Sequence, residues 1–512
     1  MTNCEEMEDR RPTIVDNIVI GATKEVRTKS ISKIILDSLT ETPDFIGQIN
    51  ADTGETISFG ELKDRSIRCA LWLRKQGIGE GDMVNVPITI QTNDCIPILA
   101  CFYVGATLVP LRHDGSLDKI RHILEHTKPK IIFAEGKLVD GLNHITADMG
   151  IQSQFVTFEK YGEYSSLDEI MNSQDKIEVL RFEPTEPKNP SKQAGVIVFS
   201  SGTSGIAKGT MLAYDWLSNL RITVTGITGG MKVLWYLPWS WVCAIEALVP
   251  CIEFKATRII HGKFDPEETY RVMKDHQVNH IILTPFRLGK IFNVERDYLP
   301  SLRRVITLGA PASLSLLEKV RKCLPNVSVW NCYGMTEAGG AIAIQTEHCR
   351  IVDSVGEICI NVNYKSIGYI DNEEEAKKLI DKEGWLHTGD VGFYDETGEL
   401  KIIDKMKLFI DCGEKRLPST RIENILMQHP EVVNASVVSV PHEIDIQRPF
   451  AFVQLSPGAK VTKEELIELP ARVRENPRIT GGLVFVEDFP VLPNGKIDIQ
   501  ELKKRAGMYD SQ

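Results

Sequence analysis

The sequence predicts an α/β protein with a large, multi-layer N-terminal domain and a small α+β C-terminal domain. Three observations carry this. Helix and strand patterns alternate between Glu61 and Leu283, the pattern changes character from Asp404 onward, and 512 residues exceed a single module of about 150. Glu61 to Lys75 places Leu62, Ser66, Cys69, Ala70 and Leu73 on one helical face, with Gly77 where a C-terminal cap belongs. Gly81 to Val84 leads into an extended run, and Ile96–Tyr103 and Gly105–Leu111 read as helix then strand. Asp265-Pro266-Glu267-Glu268 supplies an N-cap, a first-turn proline and acidic first-turn residues, and the short apolar run His280 to Leu283 reads as a buried strand. Such alternation implies parallel sheets covered by helices.

Pro184, Pro187 and Pro190 mark a surface connection before the apolar strand Val196 to Phe199. Val391 to Ile403 reads as a hairpin around Asp395 to Gly398. Beyond it, Arg421–His429 and Lys463–Glu475 read as helices among strands at Val432–Val440 and Phe450–Leu455. The domain boundary is therefore placed at Asp404, giving domains 1–403 and 404–512.

Apolar residues make up 42% of the chain and glycine adds 38 residues, enough for a substantial core. With 59 basic against 70 acidic residues the net charge is −11, which argues against a nucleic-acid partner. Eleven cysteines are scattered without a Cys-x-x-Cys pair, and no histidine ladder at zinc spacing is expected, so the pattern points to a reducing compartment. The longest apolar stretch, Ile96 to Leu111, is broken by Pro97, Gly105 and Pro110 and falls short of the ~20 residues of a membrane span, so no integral membrane segment is expected. Met1 to Glu6 has neither a basic start nor an apolar run, which predicts no secretory signal.

The strongest local signal is Ser200-Ser201-Gly202-Thr203-Ser204-Gly205-Ile206-Ala207-Lys208-Gly209, directly after an apolar strand. Unobstructed backbone N–H groups, hydroxyls and the Lys208 ammonium can together wrap a polyphosphate. The loop is not a Walker A motif, because Ala207 and Gly209 stand where Gly and Ser/Thr belong. Further along, Gly309-Ala310-Pro311 lets backbone approach a base closely, and Tyr333, followed by Gly334, can stack on it. Glu337 is a hard oxygen donor suited to Mg²⁺, and the Thr336 hydroxyl can reach an α-phosphate. Asp390 offers two acceptor oxygens to two ribose hydroxyls, and Lys496 can place a cation where charge builds. Taken singly, each of these has an ordinary structural alternative: a flexible turn, a packed aromatic or an exposed lysine.

Their order resembles the adenylate-forming superfamily, which holds acyl-CoA synthetases, 4-coumarate:CoA ligases, beetle luciferases and the adenylation domains of peptide synthetases. The phosphate loop is followed by Gly309-Ala310-Pro311, Tyr333-Gly334-Met335-Thr336-Glu337, Gly384 to Asp390, Asp404-Lys405 and Pro493-Asn494-Gly495-Lys496-Ile497-Asp498, so the likeness runs from about Ile57 to Arg505. It implies the adenylate-forming enzyme fold, with a mobile C-terminal domain hinged at Asp404 and ATP in the cleft. The implied reaction has two steps: a carboxylate attacks the α-phosphorus of Mg·ATP to give acyl-AMP and pyrophosphate, and a thiol, usually of CoA, then displaces AMP. Lys496, Lys208, Thr336 and Glu337 inherit catalytic roles, with Glu337 as the metal ligand and Lys405 near the ribose.

Four departures bear on function. Lys405 stands where the family usually has Arg, which removes a planar fork. The stretch Leu408 to Lys415 lacks the family's Lys-Tyr-Lys-Gly, and Lys415 lies nearby. The span Gly340 to Gly356 is short. Trp241 replaces the gating histidine of ligases and luciferases, a bulky apolar gate that favours an aliphatic acid over luciferin, although Trp239 and Trp241 suit core packing equally; Tyr214 replaces a further histidine after the phosphate loop. The terminus lacks Ser-Lys-Leu, so the expected location is the cytosol. The leading expectation is activation of a medium- or long-chain fatty acid to its CoA thioester. The rivals are adenylation without thioester formation and a nucleotide-binding relative with weakened turnover.

Overall fold

A computed structural model describes residues 13–15, 18–20, 27–87, 89–111, 117–200, 207–220, 225–292, 299–310, 312, 314–345, 356–361, 365–394, 400–405, 408–412, 415–442, 445–473, 478–492 and 496–509. Alternating helices and strands build two large sheets. The seven-stranded sheet runs 208–213, 194–200, 107–111, 83–87, 131–134, 154–157, 165–166, and is parallel except for its first pair. The eight-stranded sheet runs 340–345, 328–335, 304–308, 280–283, 232–235, 257–260, 46–50, 56–58, with antiparallel pairs only at its two ends.

The main core is built from the helices Ile31–Glu41, Phe59–Lys75, Ile96–Val104 and Val242–Glu253 together with strands of both sheets. Helix Phe59–Lys75 starts at a reciprocal capping box between Ser58 and Glu61 and closes with Arg74 and Lys75 at its negative end. Its expected face, from Leu62 to Leu73, is buried. The Ile96–Val104 helix is apolar all round because it is buried all round. Gly105 terminates it in the left-handed region at φ 76°, so the following strand begins at Thr107 rather than at Gly105. Asp265 caps Pro266–Asp275 by accepting from the amides of Glu267 and Glu268, each at 3.0 Å. The Pro184–Pro190 segment is a loop, as expected.

The expected hairpin is present: Leu386–Tyr394 and Leu400–Lys405 pair antiparallel, with Gly356–Ile360 completing a three-stranded sheet. Its turn at 395–399 lies outside the described residues. The C-terminal sheet holds Lys415–Pro418, Phe409–Cys412, Ile446–Leu455 and Val432–His442, with Gly482–Phe485 parallel beside Ile446–Leu455. Ser419–Leu426 and Lys463–Glu468 pack against it. The second helix is shorter than the expected Lys463–Glu475, because Pro470 carries no amide hydrogen and its ring would clash with the carbonyl four residues back; the chain turns into 3-10 geometry there. Among the described residues no helix is long and apolar enough to cross a membrane.

Candidate functional site

The strand ends of the eight-stranded sheet and the three-stranded sheet bring together residues far apart in the chain. Asp390 is buried, and both of its oxygens are engaged: Tyr333 Oη donates to Oδ2 at 2.7 Å and Lys405 Nζ approaches Oδ1 at 2.7 Å. Register explains the second contact, because Asp390 and Lys405 face each other across the antiparallel pair. The Thr388 hydroxyl accepts from the Asp390 amide at 3.0 Å and fixes the turn.

Tyr333 sits near the end of strand Ser328–Met335, where a register shift between Tyr333 and Gly334 bends the strand before the short turn Thr336–Ala338. Gly334 is required by proximity, since a Cβ there would lie 2.4 Å from the Gly340 carbonyl oxygen. Thr336 and Glu337 are half-buried in the turn. Tyr369 Oη donates to Glu337 Oε1 at 3.1 Å, and the Lys208 ammonium lies over the Tyr369 ring, 5.3 Å from its centroid. Lys208 is paired with Glu375 at 2.5 Å, and this contact, with a second to Lys378, holds the Glu375 carboxyl down to about 2. The backbone supports the cluster: the amides of Met211 and Ile370 donate to Gly368 and Gly209 carbonyls at 2.9 Å, stitching residues 368–370 to the strand that begins at Lys208.

Lys496 projects from the C-terminal unit onto Trp241, its ammonium 5.6 Å from the indole centroid. Burial pushes its pKa down, as does the charge of Lys405, while Cys243, Glu337 and Asp390 oppose the shift. Gly309 completes this corner. It adopts φ 87°, and a Cβ there would meet the Trp241 indole at 2.8 Å and Lys496 Cε at 3.5 Å, so a side chain is excluded twice over. Ala310 is half-buried next to it.

The structure thus gathers Lys208, Glu337, Tyr333, Asp390, Lys405, Lys496, Gly309 and Trp241 around one region. Ser200 ends its strand opposite Lys208. Ser201, Gly202, Thr203, Ser204, Gly205, Pro311 and the 493–495 turn lie outside the described residues, as does most of the short span 340–356. The two tryptophans differ: Trp239 is a core residue whose indole N–H donates to Asp94 at 3.0 Å, whereas Trp241 packs against the same core while facing Lys496. Tyr214 is likewise sealed in the core, donating to the Ala106 carbonyl at 2.7 Å.

Sequence reasoning passed over Tyr369, Glu375 and Glu246. Glu246 is buried against Gly340, and burial raises its carboxyl to about 8 despite a bond from the Ala341 amide. An acid in the middle of the helix Val242–Glu253, whose residues are apolar apart from it and the terminal Glu253, was the available signal. The absence of zinc-spaced histidines is also corrected, since helix Leu117–Thr127 brings His122, Glu125 and His126 together.

The family description "AMP-binding enzyme" matches residues 37–388, and "AMP-binding enzyme C-terminal domain" matches residues 421–496. The chain is 28% identical to a luciferin 4-monooxygenase of Nipponoluciola cruciata, over 89% of this chain and 91% of that one. It is 26% identical to 4-coumarate–CoA ligase 3 of Oryza sativa subsp. japonica, over 90% of each. In fold it resembles the anthranilate CoA ligase AuaEII in complex with anthranoyl-AMP, with a TM-score of 0.84 at 16% identity, covering 94% of this chain and 98% of that one.

Proposed function

The chain belongs to the AMP-binding, adenylate-forming enzyme family, and from that premise we propose that it activates a medium- or long-chain carboxylic acid with ATP and passes the acyl group to CoA. The observation that carries the reading is the convergence on Asp390 of Tyr333 and Lys405, with Lys496 desolvated beside them. A buried carboxylate already engaged by two donors is poised to exchange them for the two ribose hydroxyls of ATP. Gly309, without a side chain, lets Trp241 and Lys496 approach the backbone beside this cluster.

Glu337 fits Mg²⁺ chemically, because a carboxylate has about four acceptor sites and Tyr369 takes one of them. Bound there, the ion would neutralise phosphate charge. Lys208 exchanges Glu375 for phosphate oxygens, a competition in which a dianionic group outweighs one carboxylate. Thr336 offers its hydroxyl to the α-phosphate. Lys496 supplies positive charge at the attacking carboxylate and the α-phosphate, in a dry setting where a preorganised donor is typically worth about 10²–10³ in rate. Little covalent work falls to the protein, so its contribution is positioning and charge.

We place the small domain at 404–512 with its pivot at Asp404. Asp404 accepts from the Ser419 hydroxyl at 3.1 Å and the Thr420 amide at 3.2 Å, both in the C-terminal unit, while its neighbour Lys405 is paired with Asp390. Adjacent residues held by opposite bodies suit a hinge. The Trp241 gate supports an aliphatic acid; the ligases among the relatives support CoA as acceptor. One feature favours adenylation without a thioester: the missing Lys-Tyr-Lys-Gly, in whose place Lys415 merely begins a strand opposite Cys412.

A pyrophosphate-release screen over acids of graded length and aromaticity, with and without CoA, tests the reading. Release and acyl-CoA formation with aliphatic acids support it. Release without thioester favours the adenylation-only reading, and no release with any acid while ATP binds overturns both.

A further inference from the structure

The geometry points to a transition-metal site formed by His122, Glu125 and His126 on the helix Leu117–Thr127. One ligand atom from each of the three lies within 4.8 Å of the others. A four-residue spacing puts both imidazoles on one helical face, and their rings stand edge to face with centroids 4.7 Å apart. Neither histidine is buried, and Glu125 is exposed, so an ion has access.

The second observation is how each ring is already held. His122 Nε2 lies 2.8 Å from the Ala207 carbonyl oxygen, and His126 Nδ1 lies 3.1 Å from Asp371 Oδ2. A carbonyl or an ionised carboxylate can only accept, so these two nitrogens carry the hydrogens, and the nitrogens that can turn to an ion are His122 Nδ1 and His126 Nε2. A carbonyl or carboxylate on the far nitrogen is also the outer-shell arrangement that orients metal-binding imidazoles. The cluster of Glu357, Cys359 and His387 shows the contrast. There His387 Nδ1 is 2.9 Å from Glu357 and Nε2 is 3.5 Å from Asp381, so both nitrogens face acids, which raises the pKa of the ring and works against metal ligation.

Two imidazoles and one carboxylate select zinc, nickel or copper over magnesium or calcium. The three protein ligands leave at least one position for water. The site also adjoins the proposed phosphate-binding segment: Ala207 precedes Lys208, and His122 stands edge-on to Phe199, 6.1 Å between centroids, in the strand that enters the loop. An ion on His122 therefore pulls on a ring that is tied to both ends of that loop.

Titration of the purified full chain with Zn²⁺ in a non-coordinating buffer, followed calorimetrically, tests the site, with Co²⁺ absorption as a report on nitrogen ligation. One equivalent should bind, at least 10-fold more weakly in the double variant H122N/H126N and more weakly in E125Q, but unchanged in H144N, whose histidine is exposed on the next helix. Unaltered affinity in a folded double variant, or a Co²⁺ spectrum identical to that of the aquo ion, overturns the proposal. Should circular dichroism show the double variant unfolded, E125Q decides: its Glu125 is a surface residue, and undiminished zinc affinity there is likewise fatal.

Discussion

Two carboxylates in this molecule keep the same company and do opposite things. Asp94 and Asp390 are both buried, and each is met by one cation and one aromatic donor: Arg258 and Trp239 for Asp94, Lys405 and Tyr333 for Asp390. Around Asp94 the seal is complete, for Arg258 is itself buried and lies against the faces of Trp235 and Trp239, 4.9 and 5.2 Å from their centroids. Around Asp390 one side is open, because the Lys405 side chain is 45% exposed. Partners that cannot leave make a structural element, and partners that can be replaced suit the binding role proposed for Asp390. The surroundings of the cation, not the identity of the acid, separate the two.

The largest expected effect breaks the sealed side. Arg258→Met leaves Asp94 a buried charge without its counter-ion, and such losses typically cost about 3–5 kcal/mol; urea unfolding should register a loss of that size, while Asp390→Asn should leave the unfolding midpoint nearly unchanged. On the open side, Lys496→Ala should slow adenylate formation by about 10²–10³ with ATP affinity retained. Acid-dependent exchange of labelled pyrophosphate into ATP reads this directly, and equal exchange in mutant and wild type would remove Lys496 from the chemistry.

Asp390→Asn should weaken ATP binding by roughly 10- to 100-fold, as expected for hydrogen bonds to a charged group worth about 1.5–3 kcal/mol, and calorimetry with the nucleotide measures it. Glu246 sharpens the comparison from a third direction, as a buried acid that meets no cation among the described residues. Its folded pKa of about 8 lies well above the ordinary carboxylate range, so the folded state holds a proton the unfolded chain releases. The sign follows: the group's stabilising contribution is intact at acid pH and is lost as pH rises towards 8, with a slope of at most about 1.4 kcal/mol per pH unit. Glu246→Gln should flatten that part of the stability profile.

Much of the open side was legible from residues alone. Tyr333, Asp390, Lys405 and Lys496 each sit in a short motif, and local strand pairing suffices to set Asp390 against Lys405. Helix Phe59–Lys75 announced its buried face and the Gly77 that follows its end at φ 73°, but not the Ser58 capping box that starts it. The sealed side was not legible, since Asp94 and Arg258 are 164 residues apart and only the crossing of helices and sheet joins them. Glu375 and Tyr369 escaped for the same reason: neither belongs to a motif, and each becomes meaningful only once residues 368–370 are stitched to the strand after the phosphate loop. His122 and His126 were passed over because the sequence shows their spacing but not the acceptors that fix their rings.

The contact between Gly309 and Trp241 bears on how the enzyme's acid preference can be altered. Bulk added at 309 would run into the Trp241 indole and Lys496, so this corner admits no side chain there. Under the proposed gate role, trimming the indole at 241 is the remaining lever, and it removes the surface on which Lys496 rests. On that reading, a library that broadens substrate scope through position 241 should trade breadth against speed.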